Sequence, residues 1–286
     1  MKHVQEISVT KKRQAAPVPQ SDISLVDTHC HLDMVAYEND LDLVLQNAFQ
    51  HNVRAIISVG IDVQSSRRAV ELACLYPMIS ATIGIHPHDV DNITDRTFSI
   101  LADLAQNNKE HIVGYGEIGL DYVKGYSSPE NQRRQFRNQL LLADELGLPV
   151  IIHDREAHED TLTILQERGP LRYGGIMHCF SGDYNFARKI LDLGLFISIP
   201  GTVTFKNAAL LQEVAKKIPL SSLLLETDGP FLAPVPYRGK RNEPYFILYT
   251  AQIVADLRDI PIEEVARQSS QNAKTLFGLH HLIIPL

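Results

Sequence analysis

Two histidines on alternate residues are the first feature of this sequence that could do chemistry. His29 ends the apolar run 23–29, and His31 lies on its extension. Because side chains alternate along a strand, the two imidazoles are expected on one face of it. Such a pair suits a divalent metal ion. Alone it is a weak signal, since isolated histidines are more often structural, so the interpretation depends on what else the chain brings nearby.

Four further candidate ligands end other apolar runs: Glu117, His153, His178 and Asp228. Each is predicted at or near the carboxyl end of a different strand. If the strands are parallel and close into a barrel, all six side chains lie on the face where barrel enzymes hold their active sites. Divalent cations would offset the repulsion and desolvation of such a cluster. Six ligands exceed what one tetrahedral zinc needs, so two metal ions are expected, with Glu117 as their bridge.

The elements that must position these residues are visible in the hydrophobic pattern. Strands are predicted at 23–29, 54–60, 79–85, 111–117, 149–153, 175–179, 195–199 and 223–228. Helices are predicted at 39–51, 63–76, 95–108, 129–146, 157–168, 184–193, 207–218, 244–256 and 262–276. Eight strands that alternate with helices favour a parallel sheet closed into a (β/α)8 TIM-type barrel. A doubly wound open sheet is the alternative. One domain is expected over residues 23–286, after a polar, mobile N-terminal extension, residues 1–22.

Composition limits the environment and the partners. The formal charge of −7 argues against a broad basic surface for nucleic acid, but it allows a small basic pocket. The three cysteines, Cys30, Cys74 and Cys179, do not form a disulfide framework. No apolar run approaches the ~18 residues that span a membrane, and no secretory signal is evident. We therefore expect a cytoplasmic protein without membrane association. The oligomeric state is left open, and a monomer is compatible with the sequence.

Several residues beside the predicted strand ends are candidates for substrate binding. They are Arg155, Lys206, Arg238, Arg241 and His86. Arg155 is predicted on the same face as His153, where it could clamp a phosphate, and the other cations follow strands seven and eight. The alternative for each cation is a solvated charge or an ion pair. His86 is expected to line the pocket or support the ligands. The aromatic residues Tyr122 and Phe205 are expected to pack, although base stacking is the alternative.

The chain also carries a series of motifs in a fixed order. They are DTHCHLD (27–33), GIHPHD (84–89), GEIGLDY (116–122), PVIIHDREA (149–157), HCFSG (178–182), FKN (205–207), LLLETDGPFLAP (223–234) and PYRGKRNEP (236–244). From residue 23 to about 278 the chain thereby resembles the TatD family of metal-dependent hydrolases, within the amidohydrolase-like barrels. The resemblance implies metal ligation by the same six residues, His29, His31, Glu117, His153, His178 and Asp228. Many members carry Ser or Ala at the position of Gly229, so a change in loop flexibility is expected there.

The resemblance implies hydrolysis of phosphodiester bonds in DNA, often as a 3′-to-5′ exonuclease on single strands. The leading hypothesis is therefore a two-metal deoxyribonuclease with Asp228 and Glu117 as catalytic residues, in which Asp228 accepts the proton of the attacking water. One metal would be held by His29, His31, Glu117 and Asp228, and the other by Glu117, His153 and His178. Magnesium, manganese and zinc all tolerate such ligands.

Two alternatives remain open at this point. The first is an ester or amide hydrolase with the same metal site, such as a deacylase that removes D-amino acids from tRNA, because some family members resemble such enzymes. The second is a non-catalytic binding module stabilised by metal, which predicts a lost ligand. All six ligands are present, so the second alternative is the weaker one. The expected partner is thus DNA or another phosphodiester or ester substrate.

Overall fold

Within residues 24–279, which the computed structural model describes, eight parallel strands form one sheet in chain order. They are β1 (Leu25–Cys30), β2 (Val53–Val59), β3 (Ile79–Ile83), β4 (Ile112–Asp121), β5 (Val150–Arg155), β6 (Gly175–Met177), β7 (Phe196–Ile199) and β8 (Leu223–Leu225). The predicted extension, residues 1–22, lies outside the described residues. The boundary of the predicted domain therefore stays a prediction.

Contacts between β1 and the segment after β8 close the sheet. The backbone N–H of Asp228 donates to the carbonyl of His29 at 2.8 Å, and that of His31 donates to the carbonyl of Gly229 at 2.7 Å. The Thr28 hydroxyl donates to the carbonyl of Leu225 at 2.9 Å. The two edges of the sheet thus meet, which confirms the (β/α)8 barrel and rules out the open doubly wound sheet.

Nine α-helices lie in the described range, seven between consecutive strands and two after β8. They are α1 (Leu41–Gln50), α2 (Val63–Leu75), α3 (Asp95–Asn107), α4 (Pro129–Leu146), α5 (His158–Arg168), α6 (Tyr184–Asp192), α7 (Ala209–Lys217), α8 (Ile247–Arg258) and α9 (Ile262–Phe277). Each predicted helix is present, with ends that differ by at most three residues from the prediction. Among the described residues, no helix is long and apolar enough to cross a membrane.

Helix α4 shows why the local sequence determines these ends. The Ser128 side chain accepts a hydrogen bond from the backbone N–H of Asn131 at 3.3 Å, and Pro129 occupies the first helical position. At the other end Gly147 adopts φ 74°, a left-handed conformation that terminates a helix with little strain in glycine. The helix therefore begins and ends at the predicted residues.

Strand β4 is longer than predicted, which changes the position of Glu117. The strand continues to Asp121, so Glu117 lies within it rather than at its end. The register with β5 shifts between Tyr115 and Ile118, on either side of this residue. Gly119 permits the close approach of the two strands, because a Cβ at this position would lie 2.0 Å from the carbonyl oxygen of His153. The irregularity brings Glu117 and His153 together.

Strands β6 and β8 are shorter than predicted, and they end at Met177 and Leu225. His178 and Asp228 therefore lie in the loops that follow these strands. The opposite end of the barrel is closed by the end of α9, where Phe277 and Leu279 pack against barrel residues such as Ile151. The fold thus leaves the carboxyl ends of the strands as the open face, and the predicted ligands gather there.

Candidate metal centre

The Glu117 carboxylate lies at the centre of the predicted ligands. Its Oε1 atom is 2.6 Å from Nδ1 of His153 and 3.1 Å from Nε2 of His178. Its Oε2 atom is 3.4 Å from Nε2 of His29 and 3.8 Å from Nε2 of His31. One carboxylate oxygen therefore faces each half of the cluster, which is the arrangement expected of a bridging ligand.

Asp228 completes one half of the cluster. Its Oδ1 atom is 3.4 Å from Nε2 of His31 and 3.8 Å from Nε2 of His29. Asp228 has φ 57°, and its backbone N–H is bonded to the carbonyl of His29, so the loop after β8 is fixed against β1. The Asp228 side chain is more exposed than that of Glu117, which places it nearer the mouth of the barrel.

The donor atoms are arranged as they would be around cations. The Nε2 atoms of His29 and His31 lie 3.3 Å apart, and the rings of His29 and His178 stack with centroids 3.7 Å apart. Burial lowers the pKa of His29, which leaves a neutral imidazole with a free lone pair. Burial opposes ionisation of Glu117, but His178 and the other imidazoles lower its pKa well below the usual range. Burial opposes protonation of His153, but hydrogen bonds to Asp121 and Glu117 raise its pKa to about 9. A divalent metal ion would displace the proton that this imidazole holds.

Within residues 24–279, three groups of donor atoms have all members within 4.8 Å of one another: His29 with His31 and Glu117, His86 with Glu117 and His153, and His29 with His178 and Glu226. Glu117 belongs to two of these groups. Nε2 of His86 is 3.5 Å from Oε1 of Glu117, and burial lowers the pKa of His86 to about 4. His86 was expected to line the pocket, and the structure adds it to the donors that face Glu117.

Two buried carboxylates beside the ligands were missed from the sequence. Oε1 of Glu226 lies 3.2 Å from Nδ1 of His178 and accepts a hydrogen bond from the backbone N–H of Cys179 at 2.8 Å. Oδ2 of Asp121 lies 3.3 Å from Nε2 of His153. Carboxylates in this position orient metal-binding imidazoles and increase their basicity. Glu226 lies two residues before Asp228, and Asp121 lies four residues after Glu117. Because side chains alternate along a strand, this spacing could have indicated that both carboxylates share a face with the candidate ligands.

Glu226→Gln is expected to weaken metal binding by roughly 10–100-fold, because glutamine keeps the shape but cannot hold His178 as a carboxylate does. Isothermal titration of the chelated protein with Mn²⁺ measures this effect. Glu213→Gln, on the exposed side of α7, is the matched control and should leave the affinity unchanged. An unchanged dissociation constant in a folded Glu226→Gln protein would show that Glu226 does not act through His178.

The predicted cations have different positions. Arg155, Lys206 and Arg238 are exposed, and the guanidinium of Arg238 lies 4.4 Å from the centroid of the Phe205 ring. Arg241 instead donates to both carboxylate oxygens of Asp40 at 2.7 Å. This ion pair was the alternative expected from the sequence, and it occupies the guanidinium that was a candidate for substrate binding.

Gly229 lies where a larger side chain would have little space. A Cβ at this position would lie 2.4 Å from the hydroxyl oxygen of Tyr37 and 3.0 Å from Sγ of Cys30. The Tyr37 hydroxyl is itself fixed, since it donates to the carbonyl of Asn242 at 2.7 Å. The expected change in loop flexibility stays a prediction, and the structure adds that Tyr37 occupies the space that a larger side chain would need.

Gly229→Ala is accordingly expected to lower the free energy of unfolding by roughly 1–3 kcal/mol through overpacking. In a Tyr37→Phe background the same change should cost less, because the obstructing hydroxyl is gone. Chemical denaturation of the four proteins of this double-mutant cycle measures the coupling. Strictly additive losses would show that Tyr37 does not limit residue 229.

Comparison with known proteins identifies the family of this chain. The model of the family described as TatD related DNase matches residues 26–278. The chain belongs to the TatD family of metal-dependent hydrolases. It is 44% identical over 256 residues to the uncharacterized metal-dependent hydrolase YabD of Bacillus subtilis, an alignment that covers 90% of this chain and all of that protein. It is 35% identical to the uncharacterized metal-dependent hydrolase TatD of Mycobacterium tuberculosis, over 89% of this chain and 98% of that protein.

Solved structures agree with this assignment. The TatD homologue YJJV of Escherichia coli superposes with a TM-score of 0.86 at 32% identity, over 90% of this chain and 99% of that one. An organophosphorus hydrolase from Deinococcus radiodurans superposes with a TM-score of 0.60 at 14% identity, over 93% of this chain and 98% of that one, which supports the barrel fold alone. The chain thus shares both sequence and fold with TatD-family proteins along nearly its whole described length.

Proposed function

We propose that this TatD-family chain is a deoxyribonuclease that removes nucleotides from the 3′ end of single-stranded DNA. The observation that carries the proposal is the bridging position of Glu117 between two groups of imidazoles, with Asp228 nearest the mouth. Paired metal sites of this kind suit in-line displacement at phosphorus. The description of the matched family as a DNase supports the same chemistry.

The site would hold two divalent ions, magnesium, manganese or zinc. One half is His29, His31, Glu117 and Asp228, and the other is Glu117, His153 and His178, with His86 facing the second half. Bound there, metal ions lower the pKa of water and stabilise charge that develops on phosphoryl oxygens. Glu226 and Asp121 would keep the rings of His178 and His153 in the orientation that binding requires.

Asp228 would carry the proton transfer. Its carboxylate contacts His31 on one side and is more exposed than that of Glu117. A water molecule that enters from the mouth would therefore meet Asp228 before Glu117. The carboxylate would orient that water for attack and accept its proton.

The exposed cations would position the substrate. Arg155 lies at the end of β5, two residues after His153, and its planar guanidinium suits a bidentate contact with a phosphate. Lys206 and Arg238 follow β7 and β8, a region where barrels often bind phosphate. An enzyme that cuts near a chain end holds few phosphates, so these three cations are compatible with the net charge of −7.

The test is a time course with a single-stranded oligonucleotide labelled at its 5′ end, in Mg²⁺ or Mn²⁺. We expect a ladder that shortens from the 3′ end. An intact oligonucleotide, with protein shown to be folded and metal-loaded, would contradict the proposal. D-aminoacyl-tRNA would then be tested for the ester-hydrolase alternative. The cytoplasmic location stays a prediction from the sequence.

A further inference from the structure

Phe231 presents a large apolar ring beside the metal centre. The residue is 49% exposed, and its ring centroid lies 6.1 Å from that of the buried ligand His31. The ring therefore contributes little to the core, although it adjoins the most buried part of the site. An exposed aromatic ring at the edge of a catalytic cleft is free to contact a substrate.

The backbone that carries this ring is held in place. The N–H of Phe231 donates to the carbonyl of Asp228 at 2.9 Å, and the side-chain amide of Asn242 donates to the carbonyl of Phe231 at 2.7 Å. Asn242 is fully buried and also donates to the carbonyl of Thr227 at 2.7 Å. The backbone that positions the ring is thus fixed, which limits the conformational entropy that is lost when a ligand binds.

Tyr126 is a second exposed ring beside the site. It is 67% exposed, and its ring lies 4.9 Å from that of His88, nearly perpendicular to it. The neighbouring Ser127 donates from its hydroxyl to the carbonyl of His88 at 2.8 Å, which anchors the loop. His88 in turn lies 2.9 Å from Asp121, the carboxylate that contacts His153. The Tyr126 ring is therefore connected to the candidate ligand His153 through His88 and Asp121.

The two rings belong to loops on opposite sides of the barrel. Tyr126 follows β4 and Phe231 follows β8, and these strands lie across from each other in a barrel of eight strands in chain order. The aromatic candidates from the sequence have other contacts. The Tyr122 hydroxyl donates to Asp160 at 2.6 Å, and Phe205 is covered by the guanidinium of Arg238.

We propose that Phe231 and Tyr126 stack on nucleobases on either side of the phosphodiester that is hydrolysed. The inference rests on the proposed nuclease function and names how its substrate is held. Stacking suits an acidic protein, because it supplies affinity that does not depend on positive charge. It also tolerates any base, since every base has a π-face.

The first test uses fluorescence rather than activity. The sequence contains no tryptophan, so Phe231→Trp creates a single reporter at the proposed platform. Deoxyadenosine 5′-monophosphate should quench its emission saturably, whereas 2-deoxyribose 5-phosphate, which lacks only the base, should not. Phe49→Trp is the matched control, because Phe49 is 58% exposed near the end of α1, at the opposite end of the barrel. Its emission should not respond to either compound. Equal responses of the Phe231→Trp protein to both compounds, or none, would overturn the inference.

The second test separates binding from catalysis. Phe231→Leu should raise KM for a single-stranded oligonucleotide about tenfold, the order of effect of one base–aromatic stack, with kcat nearly unchanged. Tyr126→Leu should act in the same way. On an oligonucleotide with abasic residues at its 3′ end, both variants should match the unmodified protein. An equal KM change on both substrates would contradict stacking. Failure of the unmodified protein to cleave DNA would instead contradict the proposed function, while the fluorescence result still decides stacking.

Discussion

Replacement of Glu117 by glutamine is expected to abolish hydrolysis and to reduce metal binding from the proposed two ions per chain to at most one. Each oxygen of Glu117 faces a different half of the cluster, and a neutral amide cannot supply two anionic ligand atoms. Loss of a metal that stabilises phosphoryl charge should lower kcat/KM by on the order of 10³-fold or more. Elemental analysis after gel filtration gives the stoichiometry, and cleavage of a labelled oligonucleotide gives the rate.

Glu110→Gln is the control for this change. Glu110 is an exposed carboxylate just before β4, at the opposite end of the barrel, and its loss should leave both quantities unchanged. If the Glu117→Gln protein keeps two ions and a near-normal rate, Glu117 is not the bridge.

Asp228→Asn is the second change with a large expected effect. Asparagine preserves the size of the side chain but removes the negative charge that would hold metal and the base that would accept a proton. Turnover should fall by about 10²–10⁴-fold, the range for loss of a general base, and further if metal binding weakens. Circular dichroism and thermal unfolding should show an intact fold.

The control for Asp228 is Asp192→Asn, on the exposed side of α6, which should retain full activity. A separate measurement of oligonucleotide binding distinguishes lost catalysis from lost affinity. Retention of a near-normal rate by the Asp228→Asn protein would contradict the role assigned to Asp228.

The helices and strands could be predicted because the residues that determine them are close together in the sequence. Helix α4 begins and ends at predicted residues because a serine cap, a proline and a glycine mark the ends. The clustering of the six candidate ligands could be predicted because each lies at or near the carboxyl end of a strand, and a barrel brings those ends together. Glu117 was placed at the wrong point of β4, since the register shift that extends the strand depends on contact with β5.

The remaining features depend on contacts between distant parts of the chain. Glu226, just after β8, contacts His178, just after β6, and Arg241 pairs with Asp40, 201 residues away, so neither contact could be inferred from neighbouring residues. The lack of space beside Gly229 depends on Tyr37, which is distant in the sequence. Phe231 belongs to an expected motif, but only its exposure and its distance from His31 suggest a role in binding.

The most direct measurement titrates metal back into the chelated protein while cleavage of a 5′-labelled single-stranded oligonucleotide is followed. With two ions around Glu117, activity should be absent without metal, rise with added Mn²⁺ and reach its plateau at two equivalents per chain. The Asp228→Asn protein should stay inactive throughout. Full cleavage by the metal-free protein, or an intact oligonucleotide with folded protein that holds two equivalents, would contradict a two-metal nuclease.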